Sequence, residues 1–239
     1  MLGKNISYSF SKKYFTDKFE QNNLTNSTYQ NFDVTEIEQL KSIIAQNPEL
    51  RGLNVTIPYK ELVIPFLDKI NKKALEIGAV NTIKITRNNK LVGHNTDYYG
   101  FKKSIKAYLK PNQKKALILG TGGASKAVMY ALNDLDISCK LVSRNPTSDQ
   151  LNYEDLNATI FDEYRIVVNC TPLGTFPKVS EFPPLPYSLF TENHLAFDLI
   201  YNPAETSFLQ KAKEFGALTI NGSQMLIYQA EKSWKIWNP

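Results

Sequence analysis

Along residues 6–11 apolar and hydroxyl side chains alternate one for one, a period of two that predicts an extended segment with Ser7, Ser9 and Ser11 on one face. Thr35 with Glu38 reads as a capping box that opens a helix ending near Asn47. Residues 52–57 are strand-like and stop at Pro58, and residues 81–96 carry two alternating runs around Asn88 and Asn89, the pattern of a hairpin. At Lys114 a second series begins: an apolar strand (KKALILG), a glycine-rich turn, a helical stretch, then strands near Lys140, Ile166 and Ala196. Strand-like and helix-like patterns in alternation predict an α/β fold with a largely parallel sheet. Two units are implied. They meet within residues 97–111, where a short amphipathic helix runs into a proline, and residues 182–186 (FPPLP) read as a surface loop rather than a linker. No internal repeat or low-complexity tract is present.

Composition narrows the class. With 42% hydrophobic and 21% charged residues the chain is globular, and 239 residues allow one large domain or two small ones. At this size roughly 70% of the unfolded surface can be buried, so a core forms without a disulfide or structural metal. No apolar run approaches the ~18 residues of a membrane span. The start, MLGKNISYSF, has no signal-peptide pattern, which predicts a cytoplasmic protein. Cys139 and Cys170 lie far apart with only His94 and His194 to join them, so no metal site is expected and both thiols read as small core residues. Before Leu119 there are 19 basic and 10 acidic residues, and after it 9 and 13. That asymmetry predicts that the first half attracts an anion. The basic residues are dispersed and no nucleic-acid module is visible, so the anion is not expected to be nucleic acid.

Residues 120–125 (GTGGAS) follow an apolar strand directly and open a helix. In that context glycines bring backbone N–H groups and the positive helix end to a pyrophosphate; a tight strand-to-helix turn without a ligand is the alternative. Ser125 stands where such a turn usually has its third glycine. The next strand ends at Ser143 and Arg144. A basic residue there, in place of an acidic one, favours a 2′-phosphate and hence NADP, against the alternative of a solvated surface arginine. Asn169 and Thr171, within NCTPLG, supply polar groups at a strand C-terminus, where open α/β sheets bind ligands. Tyr98/Lys102 and Tyr228/Lys232 have the spacing of a short-chain dehydrogenase pair. The first pair precedes the glycine turn, and the second has Lys126 where a glycine is required upstream, so both read as helix-surface neighbours.

In the first half the serine face of residues 6–11 suits a carboxylate or, equally, solvent on a half-buried strand. Lys60, in NVTIPYK, ends a strand and starts a helix, where a cation is slightly disfavoured; it reads as a proton donor and acceptor or as a free surface lysine. Asp97 closes GHNTD as the N-cap of the following helix or as the acid–base partner of Lys60.

These motifs occur in one order along the whole chain, and in that order they resemble the shikimate dehydrogenase family. ISYSFS is similar to its serine motif, NVTIPYK to its lysine motif, GAVNT to its asparagine motif and HNTD to its aspartate motif. GTGGAS with SRN resembles the NADP turn and NCTPLG the later cofactor loop, while DLIYNP and NGSQML through Gln229 resemble the C-terminal signatures. The resemblance implies two α/β domains with the active site in the cleft between them: a substrate-binding domain of residues 1–97 completed by the C-terminal helix within 222–239, and a Rossmann-like NADP-binding domain of residues 98–221. It implies reversible reduction of 3-dehydroshikimate by NADPH, in aromatic amino-acid (chorismate) biosynthesis, by a monomer or homodimer acting on a small molecule. Lys60 and Asp97 would be catalytic. Ser9 and Ser11 would hold the carboxylate with help from Tyr201, and Thr56, Asn81, Asp97 and Gln229 the hydroxyls and carbonyl. The cofactor would lie against Gly120, Thr121, Gly122, Gly123, Ala124, Ser143, Arg144, Asn169, Thr171, Leu199, Gly222 and Met225.

Departures from the family pattern matter as well. Tyr8 stands where the family usually has histidine and Lys12 where it has proline, which predicts a differently shaped serine loop. Only two residues precede Gly3, so a short first strand is expected. The second basic residue expected after Arg144 is replaced by Ser148 and Asp149, which predicts weaker selection of NADP over NAD. A quinate/shikimate dehydrogenase using NAD or NADP is the nearest rival, and Arg144 argues against it. A non-catalytic nucleotide-binding relative is a further alternative, opposed by the intact Lys60 and Asp97.

Overall fold

The computed structural model describes residues 1–6 and 9–238. The chain divides into two units, residues 1–96 with the stretch from Ala230 onward, and Asp97–Gln229. The sequence placed the divisions at Asp97 and at 222, so residues 222–229 fall in the other unit from the one expected.

In the first unit six short strands alternate with helices: β1 (Leu2–Gly3), α1 (Phe10–Gln21), β2 (Phe32–Asp33), α2 (Leu40–Gln46), β3 (Gly52–Asn54), α3 (Tyr59–Leu62), β4 (Lys69–Ile70), α4 (Lys72–Ile77), β5 (Thr82–Ile85) and β6 (Leu91–His94). One sheet runs β3-β5-β6-β4 and a second pairs β1 with β2. A parallel bridge from Leu2 to Val55 joins them, so β3 stops at Asn54 but its chain continues the pairing. The expected hairpin is β5 with β6, antiparallel from Thr82 opposite His94 to Ile85 opposite Leu91, with Asn89 left-handed at φ 57°. Leu2, Leu40, Leu53, Val63, Val80 and Ile83 fill one core of this unit. Phe15, Phe19 and Ala230, with Tyr29, Trp234 and Trp237, fill another.

Two local readings change. The alternation at 6–11 does not make a strand: Ser7 and Tyr8 lie outside the described residues, Ser9 is the N-cap of α1, and Ser11 is buried in its first turn. The helical spacing of Phe10, Tyr14, Phe15 and Phe19 outweighs a six-residue alternation, because it buries two phenylalanines against Trp234 and Trp237. The Lys12 N–H donates to Ser9 Oγ at 3.4 Å, a bond that a proline at this position could not make. The capping box lies one residue further on, between Glu36 and Gln39, because a 3₁₀ turn (Ile37–Gln39) precedes α2.

The second unit holds α5 (Asp97–Ile105), β7 (Lys115–Leu119), α6 (Gly123–Asn133), β8 (Ser138–Val142), α7 (Ala158–Glu163), β9 (Ile166–Asn169), β10 (Leu195–Asp198), α8 (Ser207–Glu214) and β11 (Leu218–Ile220). Its five strands are all parallel in the order β11-β10-β9-β7-β8. Apolar side chains cover both faces: Phe101, Val128 and Phe197 belong to one cluster, Phe161, Phe190 and Phe208 to the other. The FPPLP stretch is only partly surface, since Pro183 and Leu185 are buried and Leu185 joins the second cluster. The last helix, α9 (Ser223–Trp237), starts in this unit and ends in the first.

Within the first unit Glu231 accepts from Lys18 Nζ at 2.6 Å and from the Tyr14 hydroxyl, tying α9 to α1. Burial pushes its carboxyl up, but Lys18 and Tyr14 outweigh burial and hold it below the usual 4.5. The pair therefore stabilises the fold above that value and loses its effect as pH falls through the folded one. Glu231→Gln should cost about 1 kcal/mol in urea denaturation at neutral pH, because the pair is a third exposed and partly screened. The difference from the parent chain should vanish in acid.

Candidate functional site

Lys60 lies half-buried in α3, a single turn, so the helix field expected at this lysine is that of one turn only. The Tyr59 N–H donates to the Thr56 carbonyl at 2.9 Å, the Val80 N–H to the Lys60 carbonyl at 2.7 Å, and the Val55 N–H to the Asn81 carbonyl at 2.8 Å. Thr56, Lys60 and Asn81 thus share one backbone-bonded corner. Gly78, left-handed at φ +72°, ends α4 and turns the chain back toward it.

Behind this corner is a buried polar network. Asn81 Oδ1 accepts from the Thr96 N–H at 2.6 Å, and its Nδ2 donates to Thr96 Oγ1 at 3.0 Å. The hydroxyls of Thr82, Thr96 and Ser233 lie 2.8–3.1 Å from one another. Asn54 Nδ2 donates to Ser233 Oγ at 3.1 Å, and Asn54 Oδ1 accepts from the Tyr29 hydroxyl at 2.6 Å. Tyr29 also faces Ser11, and burial pushes its phenol well above the ordinary range. Ser11 is therefore linked to the corner through Tyr29 and Asn54, while Ser9 spends its hydroxyl on the cap of α1 and on Met1 Sδ at 3.7 Å. Sequence reasoning missed Tyr29, Asn54, Thr82, Thr96 and Ser233. Asn54 carried a signal, since asparagine is disfavoured inside strands; Ser233 carried none.

In the second unit Asp97 is the first residue of α5, not its N-cap, and is buried. Gly100 follows one turn later on the same face. A Cβ there would stand 2.6 Å from the Met225 carbonyl and 3.1 Å from Gln229 Cβ, so only glycine lets α5 approach α9 this closely. Gly100, one turn after Asp97, thus lies directly against the buried Gln229.

The remaining expected residues gather at the C-terminal ends of the parallel strands. Strand order reverses between β7, whose successor β8 lies on one side, and β9 on the other. That is the switch point at which such sheets bind ligands. Gly120 has φ +96°, and a Cβ on it would stand 3.2 Å from Thr171 Cγ2, so the glycine turn and the loop after β9 lie together. Gly122 caps α6 with open space where a Cβ would be, leaving the turn's backbone accessible beside Thr121, Gly123 and Ala124. Ser125 fills the third glycine position because it is buried and its hydroxyl donates to the Gly122 carbonyl at 2.6 Å. Together these features fit the pyrophosphate of a dinucleotide.

Ser143 follows β8, its N–H bonded to the Leu151 carbonyl at 2.9 Å, and the exposed Arg144 borders a cleft of about 650 Å³ with Tyr153, Leu156 and Leu185. Leu199 and Gly222 meet through backbone: a Cβ on Gly222 would stand 2.1 Å from the Leu199 carbonyl. Tyr201, two residues on, is half-buried. Asn169 is 0% exposed, and both ends of its amide are bonded within the chain, so it shapes the loop instead of facing a ligand. Met225 packs into the core beside Phe101 and Phe197.

Both cysteines are half-buried at the core margin rather than inside it, and burial pushes the Cys139 thiol up to about 12. Among the described residues no three His, Cys, Asp or Glu side chains group as metal ligands, and no helix is long and apolar enough to cross a membrane.

A family model of the shikimate dehydrogenase substrate binding domain matches residues 1–83. A shikimate dehydrogenase (NADP(+)) of Clostridium botulinum (strain Hall) is 37% identical over 248 residues, covering 99% of this chain and 95% of that protein. Another, of Methanococcus maripaludis, is 39% identical and covers 99% and 90%. A crystal structure of shikimate 5-dehydrogenase from Thermus thermophilus in complex with NADP(H) and shikimate matches with a TM-score of 0.86 at 32% identity, covering 99% of this chain and 91% of that one.

Asp198, at the end of β10, is buried, and desolvation pushes its carboxyl up to about 7 despite bonds from Thr206, Ile200 and Asn169. The folded state therefore binds this proton more tightly than the unfolded chain. Its contribution to stability is complete below the ordinary value of 3.8 and is lost as pH rises through about 7. Asp198→Asn removes the titration, so urea denaturation should show the variant gaining on the parent chain by about 2–3 kcal/mol between pH 5 and pH 8. A pH-independent difference would assign the titration elsewhere.

Proposed function

The chain belongs to the shikimate dehydrogenase family, and we propose that it catalyses the reversible NADP(H)-dependent interconversion of 3-dehydroshikimate and shikimate. The observation that carries this reading is the corner where Lys60, Thr56 and Asn81 are held by backbone bonds to one another's neighbours. It is supported by the accessible glycine turn at the strand switch, which fits a dinucleotide.

When bound, NADP(H) supplies or accepts the hydride at C3 of the substrate. Lys60 stands beside the C3 oxygen, where its ammonium stabilises charge that grows only as the reaction proceeds, and it gives up the proton in reduction or takes it in oxidation. Asp97 shares the proton chemistry with Lys60 and holds a substrate hydroxyl. Thr56, Asn81 and Gln229 orient the ring hydroxyls. Ser9, Ser11 and Tyr201 hold the carboxylate. Residues 120–124 would hold the pyrophosphate of the cofactor and Ser143 and Arg144 its 2′-phosphate, and Thr171, Leu199, Gly222 and Met225 would line the rest of the cofactor site. Residues 1–97 with 222–239 act as the substrate part and 98–221 as the cofactor part. The protein works on its small-molecule substrate in the cytoplasm, as a monomer or homodimer and without nucleic acid.

An absorbance assay at the NADPH band with 3-dehydroshikimate tests the reading, and folded protein without turnover would refute it. Lys60→Ala should lower kcat by about 10³-fold with shikimate still binding, the scale of a lost general acid–base; unchanged turnover would take Lys60 out of the mechanism. Arg144→Ser should raise KM for NADPH about tenfold while leaving KM for NADH unaltered, because one charge-assisted contact to the 2′-phosphate is worth about 1.5 kcal/mol. Faster oxidation of quinate with NAD than of shikimate with NADP would favour the quinate-using relative.

A further inference from the structure

The carboxylate of Asp198 meets two loops at once. Its Oδ1 accepts from Asn169 Nδ2 at 3.1 Å and from the Ile200 N–H at 3.0 Å, and its Oδ2 accepts from Thr206 Oγ1 at 2.6 Å. Asn169 in turn accepts at Oδ1 from the Thr171 N–H at 3.0 Å and from Thr171 Oγ1 at 2.7 Å, and the Leu173 N–H donates to Thr171 Oγ1 at 3.3 Å. The Leu199 N–H closes the link by donating to the Asn169 carbonyl at 3.1 Å.

An asparagine amide has a donor end and an acceptor end, and the two are not interchangeable here. Asp198 Oδ1 accepts whether the carboxyl is ionised or carries its proton on Oδ2 toward Thr206, so it compels the NH₂ of Asn169 toward Asp198 and the oxygen toward Thr171. With the amide reversed, two nitrogen donors would face each other at Thr171 and two acceptors at Asp198, all of them buried. The orientation of Thr171, which lies against the Gly120 turn, is thereby set from the buried Asp198, with the Leu173 carbonyl a longer second acceptor at 3.5 Å for the same Asn169 Nδ2.

We propose that Asp198 is a positioning residue for the dinucleotide, setting the loop of Thr171 through Asn169 and the loop of Leu199 and Tyr201 through Ile200. The assignment deepens the function proposed above and rests on it. Asparagine at 198 preserves the arrangement, its Oδ1 taking both donors and its NH₂ meeting Thr206 Oγ1. Alanine does not.

Fluorescence titration with NADPH, alongside steady-state kinetics at saturating NADPH, tests the assignment. Asp198→Ala and Asn169→Ser should each raise the Kd for NADPH about tenfold, the value of one lost buried hydrogen bond, with KM for shikimate changed less than about threefold. Asp198→Asn should bind NADPH like the parent chain. Thr206→Val removes a bond to the same carboxylate and the cap of α8 but leaves Asn169 in place, so it should lower the Tm without altering the Kd. If Asp198→Ala does not fold, Asn169→Ser against Thr206→Val decides. An unchanged Kd in the first two variants, or an equal rise in Thr206→Val, would overturn the assignment. A parent chain that binds no NADPH would refute the proposed function itself.

Discussion

The corner that holds Thr56, Lys60 and Asn81 is backed by a buried polar network to which α9 contributes one hydroxyl, that of Ser233. The hydroxyls of Thr82, Thr96 and Ser233 form a closed set within hydrogen-bond distance of one another, and Asn54 and Asn81 border it. Buried polar groups must be bonded, each at a net gain near 1 kcal/mol when satisfied and a larger loss when not. Within residues 1–96 Asn81 Oδ1 lies 3.1 Å from Thr82 Oγ1 and 3.2 Å from Thr96 Oγ1, and Ser233 adds a third hydroxyl to the set. The end of α9 completes it, and the Trp237 indole adds a bond of 2.9 Å to the Ile83 carbonyl. The chain's return to its first unit is thus held by polar contacts as well as apolar ones.

In the second unit the corresponding constraint is backbone approach. Gly100 and Gly222 each occupy a place where a Cβ would run into a carbonyl, and at Gly120 the left-handed backbone itself selects glycine. Their effect is to bring residues distant in sequence together without side-chain intermediaries: Gly100 with Gln229, Leu199 with Gly222, the glycine turn with Thr171. A site assembled from main chain at the ends of packed strands is rigid before any ligand arrives, which reduces the ordering cost of binding.

Much of this was legible in the sequence, for reasons that differ by element. The strand-turn-helix at Lys115–Leu119 and Gly123–Asn133 was read correctly because a buried parallel strand is a continuous apolar run and the turn needs glycine. The hairpin was read because Asn88 and Asn89 interrupt two alternating runs. The serine segment was misread, since six alternating residues fit a strand as well as a loop entering a helix, and only tertiary burial of Phe15 and Phe19 decides between them. Asn169 shows the limit for sites: its type and strand-end position matched a ligand contact, but whether its amide faces outward or toward Asp198 is set by a residue 29 positions later. The polar network failed to appear for the same reason, since Tyr29, Asn54 and Ser233 become one feature only after folding.

Net charge and local motif point to different halves of the chain for the phosphorylated cofactor. The excess of basic residues before Leu119 suggested that this half attracts an anion through net charge. In the structure Lys102 and Lys115 of that excess pair with Asp134 and Glu163 of the later half, while Lys13 with Asp17, Lys72 with Glu76 and Lys90 with Asp68 are exposed pairs that contribute little beyond solubility. Lys60 differs from them in being half-buried and fixed through its own carbonyl. The more acidic half carries the glycine turn, whose fixed N–H dipoles at the start of α6 attract phosphate whatever the sum of side-chain charges. A field from oriented dipoles at contact distance exceeds that of scattered lysines screened beyond about 10 Å. Recognition of anions in this protein therefore follows local geometry, and the sign of the net charge on each half is no guide to it.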